Sequence, residues 1–178
     1  MNRLLYLLIT ILFLTGSCYK MQHPNPVLDL PAETHSGENT FGCLLEGSAY
    51  LPKSSLFSGQ QSLQADYNNF TGQPTLTITA HRTGSGSICI FGDSITLDVG
   101  TFTLTSRKNG SFSAGFFTYS PDLQYYEYKT STIDTGVLVI KKFDSFNNIA
   151  SGTFWFDGFD SSIGLKVRVR EGRFDLRL

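Results

Sequence analysis

No stretch of this chain is apolar for long enough to cross a bilayer as a helix. The longest run, Leu4–Leu14 with only Thr10 interrupting it, is about half of the ~20 residues that a spanning helix needs. Helical periodicity is missing as well. After residue 20 no segment repeats its apolar residues at the 3.6-residue spacing over helix length, which excludes crossover helices and the parallel α/β folds that need them. Basic charge is not in surplus, with 14 Lys and Arg against 15 Asp and Glu, so bulk nucleic-acid binding is excluded. Cysteine is limited to Cys18, Cys43 and Cys89, and histidine to His23, His35 and His81. Two cysteines without a neighbouring histidine pair make a poor zinc site; no metal, cofactor or catalytic set is expected.

The first thing present is an address. Met1-Asn2-Arg3 is a short positive start, Leu4–Leu14 has signal-peptide length, and Leu14-Thr15-Gly16-Ser17-Cys18 ends it with small residues before a thiol. This reads as a bacterial lipoprotein cleavage site: residues 1–17 are removed and Cys18 carries the lipid. An ordinary secretory signal is the alternative. Only Arg3 is lost with residues 1–17, so 13 basic residues then face 15 acidic ones, a formal net charge of −2. Tyr19–His23 holds no acidic cluster and no Asp follows Cys18, which points to a lipid-anchored, periplasm-facing protein of the outer membrane. Residues 18–38, with Pro24, Pro26 and Pro31, read as a flexible tether, and residues 39–178 as one domain. In an oxidising compartment Cys43 and Cys89 could pair, or remain as two separately buried thiols.

The domain reads as all-β. Gly, Asn, Asp and Pro bound short Thr/Val/Ile/aromatic runs roughly every ten residues, giving about ten strands. In Thr75–His81, Leu76, Ile78 and Ala80 alternate with threonines, the pattern of a strand buried on one face. Val137-Leu138-Val139-Ile140 is apolar on both faces and suits a central strand. Asn109-Gly110 and Asp157-Gly158 read as tight turns. An antiparallel β-sandwich is expected, with a closed lipocalin-like barrel as the alternative.

The stretch Leu30-Pro31-Ala32-Glu33-Thr34-His35-Ser36-Gly37-Glu38-Asn39-Thr40-Phe41-Gly42-Cys43-Leu44-Leu45-Glu46-Gly47 resembles the opening of an uncharacterised Bacteroidota lipoprotein family, the domain of unknown function 6252. Ser151-Gly152-Thr153-Phe154-Trp155-Phe156 and Gly172-Arg173-Phe174-Asp175 are similar to its close. The resemblance implies a lipobox followed by an all-β domain, and brings no activity, cofactor or site residues.

Four stretches could carry chemistry. Phe91-Gly92-Asp93-Ser94-Ile95-Thr96 resembles the nucleophile block of GDSL esterases, but those enzymes are α/β and take their histidine from a later block. No histidine follows His81 here, and without a base Ser94 stays a weak nucleophile; a turn is the favoured reading. Asp93-Ser94-Ile95 also fits a short bacterial O-glycosylation signal, making Ser94 a candidate modification site. Asp157-Gly158-Phe159-Asp160-Ser161 offers oxygen ligands without the ligand order of a Ca²⁺ loop, and Tyr125-Tyr126-Glu127-Tyr128 could form an aromatic platform for sugar or peptide. In the plainer reading Tyr126 packs in the core while Tyr125 and Tyr128 cover a sheet edge.

The C-terminus gives the most concrete expectation. Leu165–Arg170 and Arg173–Leu178 alternate apolar and charged residues on either side of Glu171-Gly172, which reads as a hairpin. It would set Arg168 opposite Asp175, Arg170 opposite Arg173 and Lys166 opposite Arg177. Lys166, Arg168, Arg170, Arg173 and Arg177 would form a basic face for an envelope protein or an anionic glycan, or an edge guarded against aggregation. The functional expectation is a non-enzymatic binding or assembly accessory. Its rivals are a structural or immunity-type protein with one protein partner and, more remotely, a serine esterase centred on Ser94.

Overall fold

The computed structural model describes residues 25–55, 59, 61–69 and 72–178. The expected signal peptide, Cys18 and the first part of the tether lie outside the described residues. Eleven strands follow: β1 (Thr40–Leu45), β2 (Ser48–Tyr50), β3 (Leu63–Asn68), β4 (Thr75–Arg82), β5 (Gly86–Asp93), β6 (Gly100–Leu104), β7 (Ser111–Tyr119), β8 (Tyr125–Lys129), β9 (Gly136–Asp144), β10 (Ile149–Asp160) and β11 (Leu165–Arg177). They form one sheet in the order β2-β1-β11-β10-β9-β6-β7-β5-β4-β3, and β8 joins β7 to β10 beside that path. The all-β expectation holds. The sheet is mixed rather than wholly antiparallel, because β6 meets β7 in parallel at Leu104 and Phe112. No helix among the described residues is long and apolar enough to cross a membrane.

The sheet bends around one core. Leu76, Ile78 and Ala80 of β4 face inward as their alternation requires, and meet Ile88 and Ile90, Phe112, Leu138 and Ile140, and Phe154 and Phe156 in one buried cluster. The two ends of the strand order approach each other there. Tyr50 Oη, at the end of β2, lies 2.8 Å from Ala80 O and 2.9 Å from Gly86 O, and the chain beyond it bridges Lys53 to Arg82. β1 and β2 are joined by Glu46-Gly47, both at positive φ (48° and 78°), as a two-residue type I′ turn demands.

The C-terminal hairpin does not form. Leu165–Arg177 is one strand paired along β10 on one side and β1 on the other. Glu171-Gly172, the expected turn, is a bulge. Glu171 sits at φ 52°, and three steps on β11 (Val169 to Gly172) match two on β10 (Phe156 to Phe154). That extra residue explains the sequence pattern. In an unbroken strand Val167 and Val169 would face opposite Phe174 and Leu176; one inserted residue returns all of them to the core. The expected cross-hairpin charge pairs fall with the hairpin, and Arg168 instead stands opposite Asp157, Arg173 opposite Thr153 and Arg177 opposite Ile149. Asp157-Gly158 is likewise not a turn but the interior of β10. Gly158 is needed there because a Cβ would lie 2.8 Å from Tyr128 O.

The expected tether ends in a docked strap. Past a short 3₁₀ turn at Pro26–Asp29, the chain crosses the outer side of β9–β11. The Asp175 carboxylate accepts from the backbone N–H of Ser36 (3.0 Å), Gly37 (2.8 Å) and Glu38 (3.2 Å). His35 Nδ1 lies 2.7 Å from Ser151 Oγ, and Lys142 Nζ donates to His35 O at 2.9 Å. The strap thereby buries Ser151 and Asp175 and supplies the hydrogen-bond partners that burial demands.

Candidate functional site

The pairing register places four rows of side chains on the outward face of β4, β5, β7 and β8. One row is Thr77, Phe91 and Ser113; the next is Thr79, Cys89, Gly115 and Lys129. A third is His81, Ser87, Phe117 and Glu127, and a fourth sets Tyr119 beside Tyr125. The second row is low, since a thiol and a glycine stand where neighbouring rows carry rings. A cleft of about 700 Å³ opens over it, lined by Phe91, Phe117, Tyr125, Arg107 and the hydroxyls of Ser87 and Ser113 among others. This lies within the 300–1,000 Å³ typical of small-ligand sites.

Local geometry sets the lining. Gly115 lets the Phe117 ring lie across it, for a Cβ there would meet the ring at 2.9 Å and Tyr128 O at 3.0 Å. Tyr125 stacks on Phe117 with centroids 6.5 Å apart and planes 15° apart, and on Tyr119 at 4.9 Å. At the other wall the Arg107 guanidinium lies 4.4 Å over the Phe91 ring and 3.9 Å from Asp93. Lys129 pairs with Glu127. Each charge in the cleft therefore meets its opposite. Burial pushes the Cys89 thiol up, partly offset by its contact with the Thr79 hydroxyl at 3.7 Å, so it is not an activated nucleophile and reacts slowly with thiol reagents. Burial, and then Glu127, push Tyr125 up too.

Of the stretch Tyr125–Tyr128, Tyr125 and Glu127 line the cleft. Tyr128 faces the other way and stacks on Phe116 at 6.0 Å, so Tyr128, not Tyr126, is the ring packed against the core. The remaining lining residues, Phe91, Arg107 and Phe117 above all, carried no signal in the sequence; they meet only because β5 pairs with β7 across the intervening β6.

The expected basic residues share the outer face of β11, but four of the five are paired with acids. Lys166 lies 2.6 Å from Asp134, Arg168 3.7 Å from Glu46, Arg170 2.6 Å from Asp157, and Arg173 3.9 Å from Glu171. Arg170 also stacks on Trp155 at 5.2 Å, and Arg173 Nη1 donates to Pro31 O in the strap at 3.4 Å. Arg177 is exposed, its backbone N–H held by the Asn39 side chain at 2.9 Å.

Cys43 and Cys89 are both free and buried, the second of the two arrangements that the sequence left open. Cys43 points into the core while Cys89 floors the cleft, so the sheet itself separates them. Ser94 sits at φ 53° just past β5, a turn, with its hydroxyl 3.4 Å from Asp93 Oδ1. The described histidines are engaged elsewhere, His35 with Ser151 and His81 with Ser87. In the expected oxygen loop, Asp157 is taken by Arg170, and Asp160 by the Glu127 and Ser162 N–H groups at 2.7 and 2.8 Å. Among the described residues no group of three His, Cys, Asp or Glu could hold a metal ion.

Fold and cleft define the class: an all-β domain on one mixed eleven-stranded sheet, with a side-chain-lined cleft on its outer face. The chain belongs to the family described as a domain of unknown function, number 6252, whose model matches residues 59–175. The match spans β3 to β11, whereas the opening stretch that suggested the family lies before it. No curated protein and no solved structure is significantly similar to the chain.

Proposed function

We propose that this chain is a non-enzymatic binding or assembly accessory, held at the bacterial outer membrane by a lipid on Cys18, with the cleft over β5, β7 and β8 as its binding surface. The observation that supports this is the cleft itself: rings, hydroxyls and compensated charges converge on about 700 Å³ of open space. The β11 strip is a weaker surface for a partner, since a ligand there must first displace intramolecular ion pairs.

The test is capture from a bacterial envelope extract by the immobilised full chain in detergent. Capture that is lost in Phe91→Ala and Tyr125→Ala, and kept in Arg168→Ser, supports the cleft. Capture that survives both ring substitutions and fails in Arg168→Ser moves the binding surface to the strip. The anchor is tested separately: Cys18→Ala converts the protein from detergent-requiring to soluble, and a variant still extracted only by detergent overturns the lipid assignment.

A further inference from the structure

We infer that the cleft binds a neutral, gluco-configured oligosaccharide, an inference that rests on the cleft being the binding surface. Three features of the site narrow the ligand class. The first is where the backbone goes. β5 is paired on both sides, by β4 and β7, and β7 by β5 and β8, so the floor has no N–H or C=O row to offer an extended peptide. Strand addition needs a free edge, and this site is a face. Recognition must come from side chains.

The second feature is the pairing of rings with hydroxyls. Phe91 and Phe117 flank the low Cys89–Gly115 row, with Tyr125 stacked beyond Phe117. Thr79, Ser87 and Ser113 bring hydroxyls to the same space, Ser87 already meeting His81, whereas Thr130 Oγ1 is spent on Thr105 O and the Ala114 N–H. Covering hydroxyls with a hydrocarbon tail costs free energy unless they regain partners, which disfavours an acyl chain. A ligand that satisfies both needs a flat apolar face and hydrogen-bonding groups around its rim. A pyranose with equatorial hydroxyls is such an object: its axial C–H groups form the face and its hydroxyls the rim.

The third feature is charge. Arg107 is matched by Asp93 and Lys129 by Glu127, so the cleft has no surplus of either sign to select a phosphate, a uronic acid or an ammonium group. This separates the cleft ligand from the anionic glycan expected of the β11 strip.

The experiment is calorimetric titration of the full chain in detergent with cellotetraose and chitotetraose, using polygalacturonate and a Gly-Ser tetrapeptide as competitors for the assignment. Saturable binding of a neutral tetrasaccharide, weakened about tenfold in Phe91→Ala and in Phe117→Ala, is the expected result. Cys89 supplies the location: a bound sugar slows its reaction with a small methanethiosulfonate, while Cys43, fully buried in the core, is unaffected. Sugar binding without protection of Cys89, or preferential binding of polygalacturonate or peptide, overturns the inference. If neither neutral sugar binds but envelope capture still depends on Phe91 and Tyr125, the ligand class falls and the binding surface stands; if that dependence is also absent, both fall. Phe117 and Tyr125 are partly and largely exposed, and unchanged melting of their variants separates lost binding from lost folding.

Discussion

The outer faces of β5–β7–β8 and of β9–β10–β11 are made alike, from outward residues on antiparallel ladders, yet they end in opposite conditions. On β11 the outward side chains are long and charged, and nearly every one is spent within the molecule, on the strap or on an ion pair, while β9 and β10 beside it present Val137, Val139, Thr153 and Trp155. On β5–β8 they are short in the middle and aromatic at the margins, and what they enclose is space. The face richer in charge is the more covered one, with about 300 Å³ left open over Val137, Val139 and Trp155. Charge on a strand is therefore a poor guide to an available surface, because a charge draws its own partner from whatever loop crosses nearby.

The comparison breaks most severely at Asp175. Its side chain is 1 % exposed, and removal leaves three strap N–H groups unmatched. Asp175→Ala is expected to cost about 3 kcal/mol in urea unfolding, with the folded fraction keeping its cleft. A loss below about 1 kcal/mol would show that the strap is not clamped there. The same carboxylate gives a pH dependence. Burial alone would raise its pKa, but the N–H donors of Gly37, Glu38 and Ser36 outweigh that and hold it below the ordinary range; the Thr34 hydroxyl is near but makes no well-formed hydrogen bond. A carboxyl depressed on folding contributes stability above its unfolded pKa of about 3.9, and loses it as pH falls through the folded value. The urea midpoint is expected to fall on acidification below about pH 4, and less steeply in Asp175→Ala than in the parent.

Smaller changes sharpen the other side. Gly115→Ala puts a methyl against the Phe117 ring and Tyr128 O, and is expected to cost about 1–2 kcal/mol and to tilt the ring that lines the cleft, seen as weaker ligand binding. Ser94→Gly relieves a left-handed residue and is expected to raise stability by a few tenths up to about 1 kcal/mol; an ester-cleaving activity lost in Ser94→Ala would instead revive the esterase reading. Arg168→Ser removes an exposed pair and is expected to change stability by less than about 0.5 kcal/mol. Any larger effect would show that the strip contributes more than its geometry implies.

Much of the fold was legible because it lies in local alternation. Leu76, Ile78 and Ala80 announce which face of β4 is buried, and Val137–Ile140 announces a strand flanked on both sides. β2 was missed although Glu46-Gly47 precedes it, since three residues give too short a run to show a period. β11 was split in two because a bulge and a hairpin leave the same mark on sequence, a change of phase at a Gly; only the partners on β1 and β10 tell them apart. The cleft was not legible at all. Its rows are defined by register between strands distant in sequence, so Phe91 and Phe117 come to flank one low row only once β5 and β7 are paired. Tyr125 lines the cleft where the favoured reading had it cover a sheet edge, and Tyr128 was misplaced because alternation puts it on the face opposite Tyr125.

The strap also shortens the leash. If the lipid is on Cys18, the seven residue steps to Asn25, where the docked segment begins, can span at most about 25 Å even when fully extended. A domain with a free tether to residue 38 would roam over more than twice that height and turn in any direction. Here the described chain instead begins at a short 3₁₀ turn packed against β1 and β2 and only then runs over β9–β11. The β1–β2 end of the domain, with the strap that follows it, is then kept within that shorter distance of the lipid headgroups.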